Sequence, residues 1–131
     1  MSQRDASPVI RTYLWRAFNP LEPDPECILI EDIARSLSNL CRYNGHVREY
    51  YSVAEHSYWV SLDVPPKDAL WGLLHDASEA YLTDIPRPVK PHLRDYAPME
   101  DRLMRVVAQK FGMLWPLPAA VKSADLAILS D

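Results

Sequence analysis

The sequence predicts an all-α fold, a helical bundle of about five or more helices behind an extended N-terminal arm. Three observations carry this. No segment after residue 28 alternates apolar and polar residues at the period of two that a half-buried strand requires, whereas apolar residues recur there at helical spacing. The twelve prolines fall between those periodic stretches or in their first turns, where a missing N–H costs no ladder bond. Finally, 131 residues with 48% hydrophobic and 24% charged content suit one compact domain, residues 1–131, built around a single core.

Each element has its own signal. Residues 1–27 form the arm, with prolines at 8, 20, 23 and 25; within it Thr12–Phe18 reads as a short strand or an extended segment. Ile28, Ile30, Ile33, Ala34, Leu37, Leu40 and Cys41 predict a helix over 28–42, and Asn44-Gly45 then marks a turn. Ser52 with Glu55 three residues on forms a capping box that opens a second helix, running to about Leu62 and closed by Pro65-Pro66. A third helix is expected from about Pro66 to Tyr81, burying Leu70, Leu73, Leu74, Ala77 and Tyr81. After the proline-rich loop 85–91, Asp95–Phe111 predicts a fourth helix with Leu103, Val106, Val107 and Phe111 on one side and Gly112 as C-cap. A fifth follows over Ala119–Leu129. Ser130-Asp131 carries no helix-stop signal, so the C-terminus is expected to be truncated.

Composition excludes several classes. Fourteen Lys and Arg against eighteen Asp and Glu give a net charge of −4, which argues against a nucleic-acid polymer as partner, since backbone phosphates need a basic face. A single nucleotide is not excluded. Three glycines are too few for a Gly-rich phosphate loop, and neither the dinucleotide-binding fingerprint nor a P-loop occurs. Cys27 and Cys41 read as free thiols of a reducing compartment. The absence of an apolar leader or a long apolar run predicts a cytoplasmic protein without a membrane partner. Trp59, Trp71 and Trp115 are expected in the core or at subunit contacts, and their apolar surface predicts a homo-oligomer. Trp15, in the arm, is a candidate for stacking on a nucleobase.

The chemistry concentrates on four polar residues set in apolar helical segments. His75-Asp76 follows Leu73-Leu74 in the third helix, where an imidazole and a carboxylate are costly unless paired or bound to a metal. Glu79, four residues after His75 and three after Asp76, shares their side and could handle a proton. His56 lies in the second helix and Asp125 in the fifth. In a bundle, His56, His75, Asp76 and Asp125 can converge on one divalent ion, and two imidazoles with two carboxylates suit Mn²⁺, Fe²⁺, Co²⁺, Ni²⁺ or Mg²⁺, with Zn²⁺ also possible.

The order His56, His75-Asp76, Asp125 resembles the signature of HD-domain phosphohydrolases. The stretches Tyr51–Ser57 and Leu74–Lys90 resemble the YfbR-like branch, which includes bacterial 5′-deoxynucleotidases and small phage proteins, some of them dNTP triphosphohydrolases. The resemblance covers roughly residues 11 to 129. It implies that His56, His75, Asp76 and Asp125 ligate one metal and that Glu79 and Asp84 orient the attacking water or move protons. It further implies that Arg16 meets substrate phosphate and that Arg42, Asn44 and His46 contact substrate. The expected activity is metal-dependent hydrolysis of deoxynucleotides, either the phosphate of dNMPs or the triphosphate of dNTPs such as dATP. The competing expectation is a catalytically silent HD module that binds metal or nucleotide for structure or regulation.

Overall fold

The computed structural model describes residues 9–129; the start of the predicted arm and the Ser130-Asp131 ending lie outside these residues. The described chain is mostly helical with one small two-stranded sheet. The strand read between Thr12 and Phe18 is the second half of a hairpin. β1 (Ile10–Arg11) pairs antiparallel with β2 (Ala17–Phe18), Ile10 opposite Phe18. Two contacts tie this ribbon down: Leu14 N–H donates to Asp32 Oδ1 across 2.8 Å, and the buried Phe18 ring lies 4.1 Å from that of Tyr81.

The first helix is shorter than its apolar pattern. Pro25–Cys27 form a 3₁₀ turn capped by Asp24, so Ile28 enters the core before the helix begins and α1 spans Ile30–Ser38. It stops there because the next backbone groups are claimed elsewhere: Cys41 bridges Ser52, Arg42 N–H donates to Tyr51 O and Val53 N–H to Leu40 O. This pairing delivers the chain to α2 (Val53–Leu62), where the predicted cap is present, Ser52 Oγ accepting from Glu55 N–H. Glu55 turns to Trp59 Nε1 instead.

The predicted third helix is broken. Pro66–Asp68 form a 3₁₀ turn, α3 covers only Ala69–Leu74, and α4 resumes at Glu79–Leu82. Of its expected stripe, Leu74, Ala77 and Tyr81 are buried and Leu70 and Leu73 are not. Trp71 and Leu74 face the core, while Leu70 and Leu73 are 43% and 41% exposed. Gly72 explains the exposure of Leu70 and Leu73: a Cβ there would lie 2.7 Å from Ser61 Cα, so the bare face of α3 is the one that meets α2. The later elements agree with their pattern. α5 (Tyr96–Lys110) is followed by Gly112 at φ +69, and Met113 N–H reaches back to Ala108 O, the left-handed stop expected of a helix C-terminus. α6 spans Ala119–Leu129.

α2 packs against α1, α3 and α6, which makes it the central helix. Val53, Val60, Leu103, Val107 and Val121 form the innermost core. Of the tryptophans, Trp71 is buried, Trp115 packs on the core rim, and Trp59 is exposed. No helix among the described residues is long and apolar enough to cross a membrane.

Candidate metal centre

His56 is fully buried in the middle of α2, a place where an unsupported imidazole would cost stability. Both ring nitrogens are engaged. Arg42 donates to Nδ1 across 2.9 Å, and Nε2 lies 2.6 Å from Asp125 Oδ1 on α6. Asp125 thus lies in the middle of the last helix, opposite the central one, where helix packing brings it to His56.

The break between α3 and α4 shapes the other half. Across residues 74–81 amides bond three residues back: Ala77 to Leu74, Glu79 to Asp76, Ala80 to Ala77, Tyr81 to Ser78. In such a tightened coil side chains at i and i+3 eclipse, which stacks Glu79 over Asp76. His75 Nδ1 lies 2.7 Å from Gly72 O and donates to it. That bond holds one proton on Nδ1, so that Nε2, once deprotonated, presents its lone pair to the cluster, the arrangement by which proteins orient metal-binding imidazoles.

His75 Nε2 stands 3.1 Å from Asp76 Oδ2 and 3.4 Å from Asp125 Oδ1. It is buried with no hydrogen bond in line. One ligand atom from each of His56, His75, Asp76 and Asp125 lies within 4.8 Å of the others. The quartet fits a divalent cation on this evidence, an orphaned imidazole nitrogen between two carboxylates, and the nitrogen-and-carboxylate donor set suits a first-row metal or Mg²⁺. Ligation through His56 Nε2 places that ring's proton on Nδ1, so Arg42, which can only donate, has to turn away.

Charge around the quartet is strongly perturbed. Burial opposes a charged His75, but Asp76 and Asp125 outweigh it and push the imidazole up to about 10. Burial likewise raises Asp76 and Asp125, yet His75 holds Asp76 below its ordinary value, and His56 and His75 do the same to Asp125. Glu79 goes the other way: burial, then the charges of Asp76 and Asp84, push it up to about 10. Asp84 is raised by burial and Asp76, with Arg42 and Lys90 pulling it back.

A metal must displace the proton that His75 keeps until about pH 10. Mn²⁺ affinity is therefore expected to rise about tenfold per pH unit between pH 6 and 9 for each proton displaced. Calorimetry in buffers of different ionisation enthalpy checks this; a flat profile without proton release would refute it.

Asp76 and Asp125 of the quartet line a cavity of about 470 Å³ whose walls also include Arg42, Tyr43, Asn44, His46, Glu79, Asp84 and, from the following loop, Ile85–Pro88 and Lys90. Two wall segments hold strained backbone: Tyr43 and Asn44 at φ +57 and +54, and Thr83 at φ +70. For a β-branched residue the last is costly. Thr83 is held there by its N–H on Glu79 O and by Tyr96 Oη donating to its carbonyl, and the bend brings Asp84 to the cavity.

The structure places Arg42, Asn44, His46, Glu79 and Asp84 together on the walls of one cavity with Asp76 and Asp125. It does not bring Trp15 or Arg16 there. Both sit exposed at the tip of the β1–β2 hairpin, where Arg11 stacks over the Trp15 ring and Arg16 N–H bonds Thr12 Oγ1. Two wall cations, Arg87 and Lys90, received no role from sequence. The only signal for them was their place in the loop directly after Asp84.

No family model matches the chain. It is 42% identical over 121 residues to the uncharacterized protein YfdR of Escherichia coli, covering 92% of this chain and 68% of that one. It is 40% identical over 119 residues to the uncharacterized protein RCAP_rcc00048 of Rhodobacter capsulatus, covering 83% of this chain and 61% of that one. The chain spans about two thirds of the length of these relatives.

Proposed function

The chain belongs to the family of YfdR, and from that premise we propose that it is a metal-dependent phosphohydrolase of deoxynucleotides with an HD-type site. The observation that carries the reading is the quartet itself: His56, His75, Asp76 and Asp125, from three regions of the chain, within 4.8 Å, two of them lining a cavity whose walls carry both cations and carboxylates. A purely structural ion would not need two further acids, Glu79 and Asp84, on the same walls.

A bound divalent ion would supply Lewis acidity toward a phosphoryl oxygen and make a bound water more acidic. The chain's own residues do the rest. Arg42, once released from His56, offers paired donors to a phosphate. Glu79, stacked over Asp76, orients the attacking water through one oxygen and exchanges a proton with it through the other. Asp84, on the strained bend after α4, is the second group able to carry a proton away.

The test is product analysis with dNMP and dNTP panels and Mn²⁺, Co²⁺ or Mg²⁺. Phosphate from a dNMP or tripolyphosphate from a dNTP, dependent on the metal, is expected. Metal binding with no turnover of any nucleotide would overturn the reading and favour a silent module.

A further inference from the structure

We propose that the cleft between the β1–β2 hairpin and α1 is a second small-molecule site, suited to a zwitterion with an ammonium at one end and an anionic group at the other. A cavity of about 340 Å³ lies there, lined by Arg11, Thr12, Asp32, Arg35, Ser36 and Tyr81 among others. It shares no lining residue with the cavity beside the quartet, so nothing in the proposed reaction accounts for it.

Its deepest groups lack partners. Asp32 is 3% exposed. One of its oxygens, Oδ1, accepts from the Leu14 amide across 2.8 Å, and the other, Oδ2, is enclosed with no donor in reach. The Tyr81 hydroxyl, also enclosed, has no partner either. Buried polar atoms are almost always paired, and an unpaired carboxylate oxygen is among the costliest to leave. An ammonium entering from the cavity has three donors and the compensating charge. Neither atom meets solvent as the hairpin lies, so the ammonium reaches them with a small displacement of the turn at residues 12–16. The polar ties of that turn to α1 include the Leu14 amide on Asp32 and the Tyr13 hydroxyl on Arg35.

The mouth has the opposite charge. Arg11 and Arg35 are exposed, and the hairpin steadies both. Arg11 Nη1 donates to Trp15 O across 3.1 Å. Arg35 Nη2 donates to Tyr13 Oη across 2.9 Å, with its guanidinium 4.4 Å from the Tyr13 ring centre. Each guanidinium has five N–H donors and uses one in these bonds, which leaves paired donors for a carboxylate or a phosphate. A plain anion would leave Asp32 unpaired, and a metal ion would face two guanidiniums. A zwitterion answers the cations at the mouth and the acceptor beneath them together. Ile10, Leu40 and Ala80 on the same walls suit a short apolar body between its ends.

The experiment uses the full chain in a chelating buffer and reads binding by calorimetry, so it stands whatever reaction the quartet performs. L-leucine probes the carboxylate source and phosphoethanolamine the phosphate source. Leucinamide and isocaproate, each lacking one charge of leucine, are the controls for the first; ethanolamine and inorganic phosphate serve the second. One of the two zwitterions is expected to bind at least about tenfold more tightly than either of its single-charge controls, and the tighter of the two identifies the anionic group. Asp32→Asn and Arg35→Gln are each expected to weaken that binding about tenfold, whereas Asp76→Ala leaves it unchanged. Asparagine keeps an oxygen for the Leu14 amide, and Arg35 is exposed, so the second variant stays readable if the first does not fold. No zwitterion binding tighter than its controls overturns the site, and water alone then answers Asp32. Binding that survives Arg35→Gln, or that is lost in Asp76→Ala, overturns it equally.

Discussion

Under the proposed activity, Asp76→Ala is expected to abolish metal retention and to lower hydrolysis by about a thousandfold or more, a loss of roughly 4 kcal/mol of barrier stabilisation. Asp76 is the carboxylate nearest the orphaned His75 Nε2, at 3.1 Å. Its removal deletes one ligand and at the same time the charge that most favours a cation at this point. Mn²⁺ affinity is expected to fall at least about a hundredfold, beyond what the loss of a supporting contact alone costs. The side chain is partly exposed, at 24%, so the fold should survive, and Asp76→Asn keeps the shape of the turn as a second variant. Metal content after dialysis, with circular dichroism to confirm the helices, checks the result. An Asp76→Asn protein that is folded, keeps its metal and turns over nucleotide at the wild-type rate would remove the quartet from the chemistry.

The quartet was legible because its signal is chemical. Imidazoles and carboxylates set among leucines and alanines cannot rest there unpaired, and any bundle that buried those helices had to bring the polar groups together. Where α3 ends could not be read the same way. The stripe of Leu70, Leu73, Leu74, Ala77 and Tyr81 assumed one uninterrupted period of 3.6, whereas Gly72 puts the bare face of α3 against α2 and the amides after Leu74 shift to bonds three residues back. Both are tertiary effects that local spacing does not carry. α1 was overextended for a related reason: Leu40 packs on the core while the backbone of residues 40–42 pairs with residues 51–53, so the apolar pattern runs on past the helix. Arg16 was assigned to phosphate through resemblance alone, with no geometric constraint on a short arm, and the hairpin carries it elsewhere. Arg87 and Lys90 were passed over because a proline-rich loop reads as punctuation. Only the bend at Thr83 and the anchors from α5 turn that loop into a cavity wall.

Glu79→Gln separates catalysis from stability, and the two are expected to move in opposite directions. Glu79 is only 8% exposed, and its carboxyl is pushed up to about 10 from an ordinary 4.5 by burial and by Asp76 and Asp84. A carboxyl whose folded value is raised binds a proton on folding at any pH between those two values. Stability is therefore undiminished below the unfolded value of 4.5 and falls as pH rises toward 10. At pH 7 the cost is about 3 kcal/mol, an order-of-magnitude figure. Glutamine keeps the shape, can still donate toward Asp76, and carries no such cost. The variant should therefore melt several degrees higher than wild type at pH 8 in the presence of a chelator, the difference shrinking to a small fraction of that at pH 5. An ion on Asp76 and Asp125 offsets the negative neighbours, so the gap should narrow again when Mn²⁺ is added. Hydrolysis should fall about 10²- to 10⁴-fold, since an amide can orient water but cannot exchange its proton. Equal stabilisation at pH 5 and pH 8 would mean that the gain comes from packing rather than protonation. Retained turnover would move the proton-handling role to Asp84, the remaining carboxylate on the cavity wall outside the quartet among the described residues.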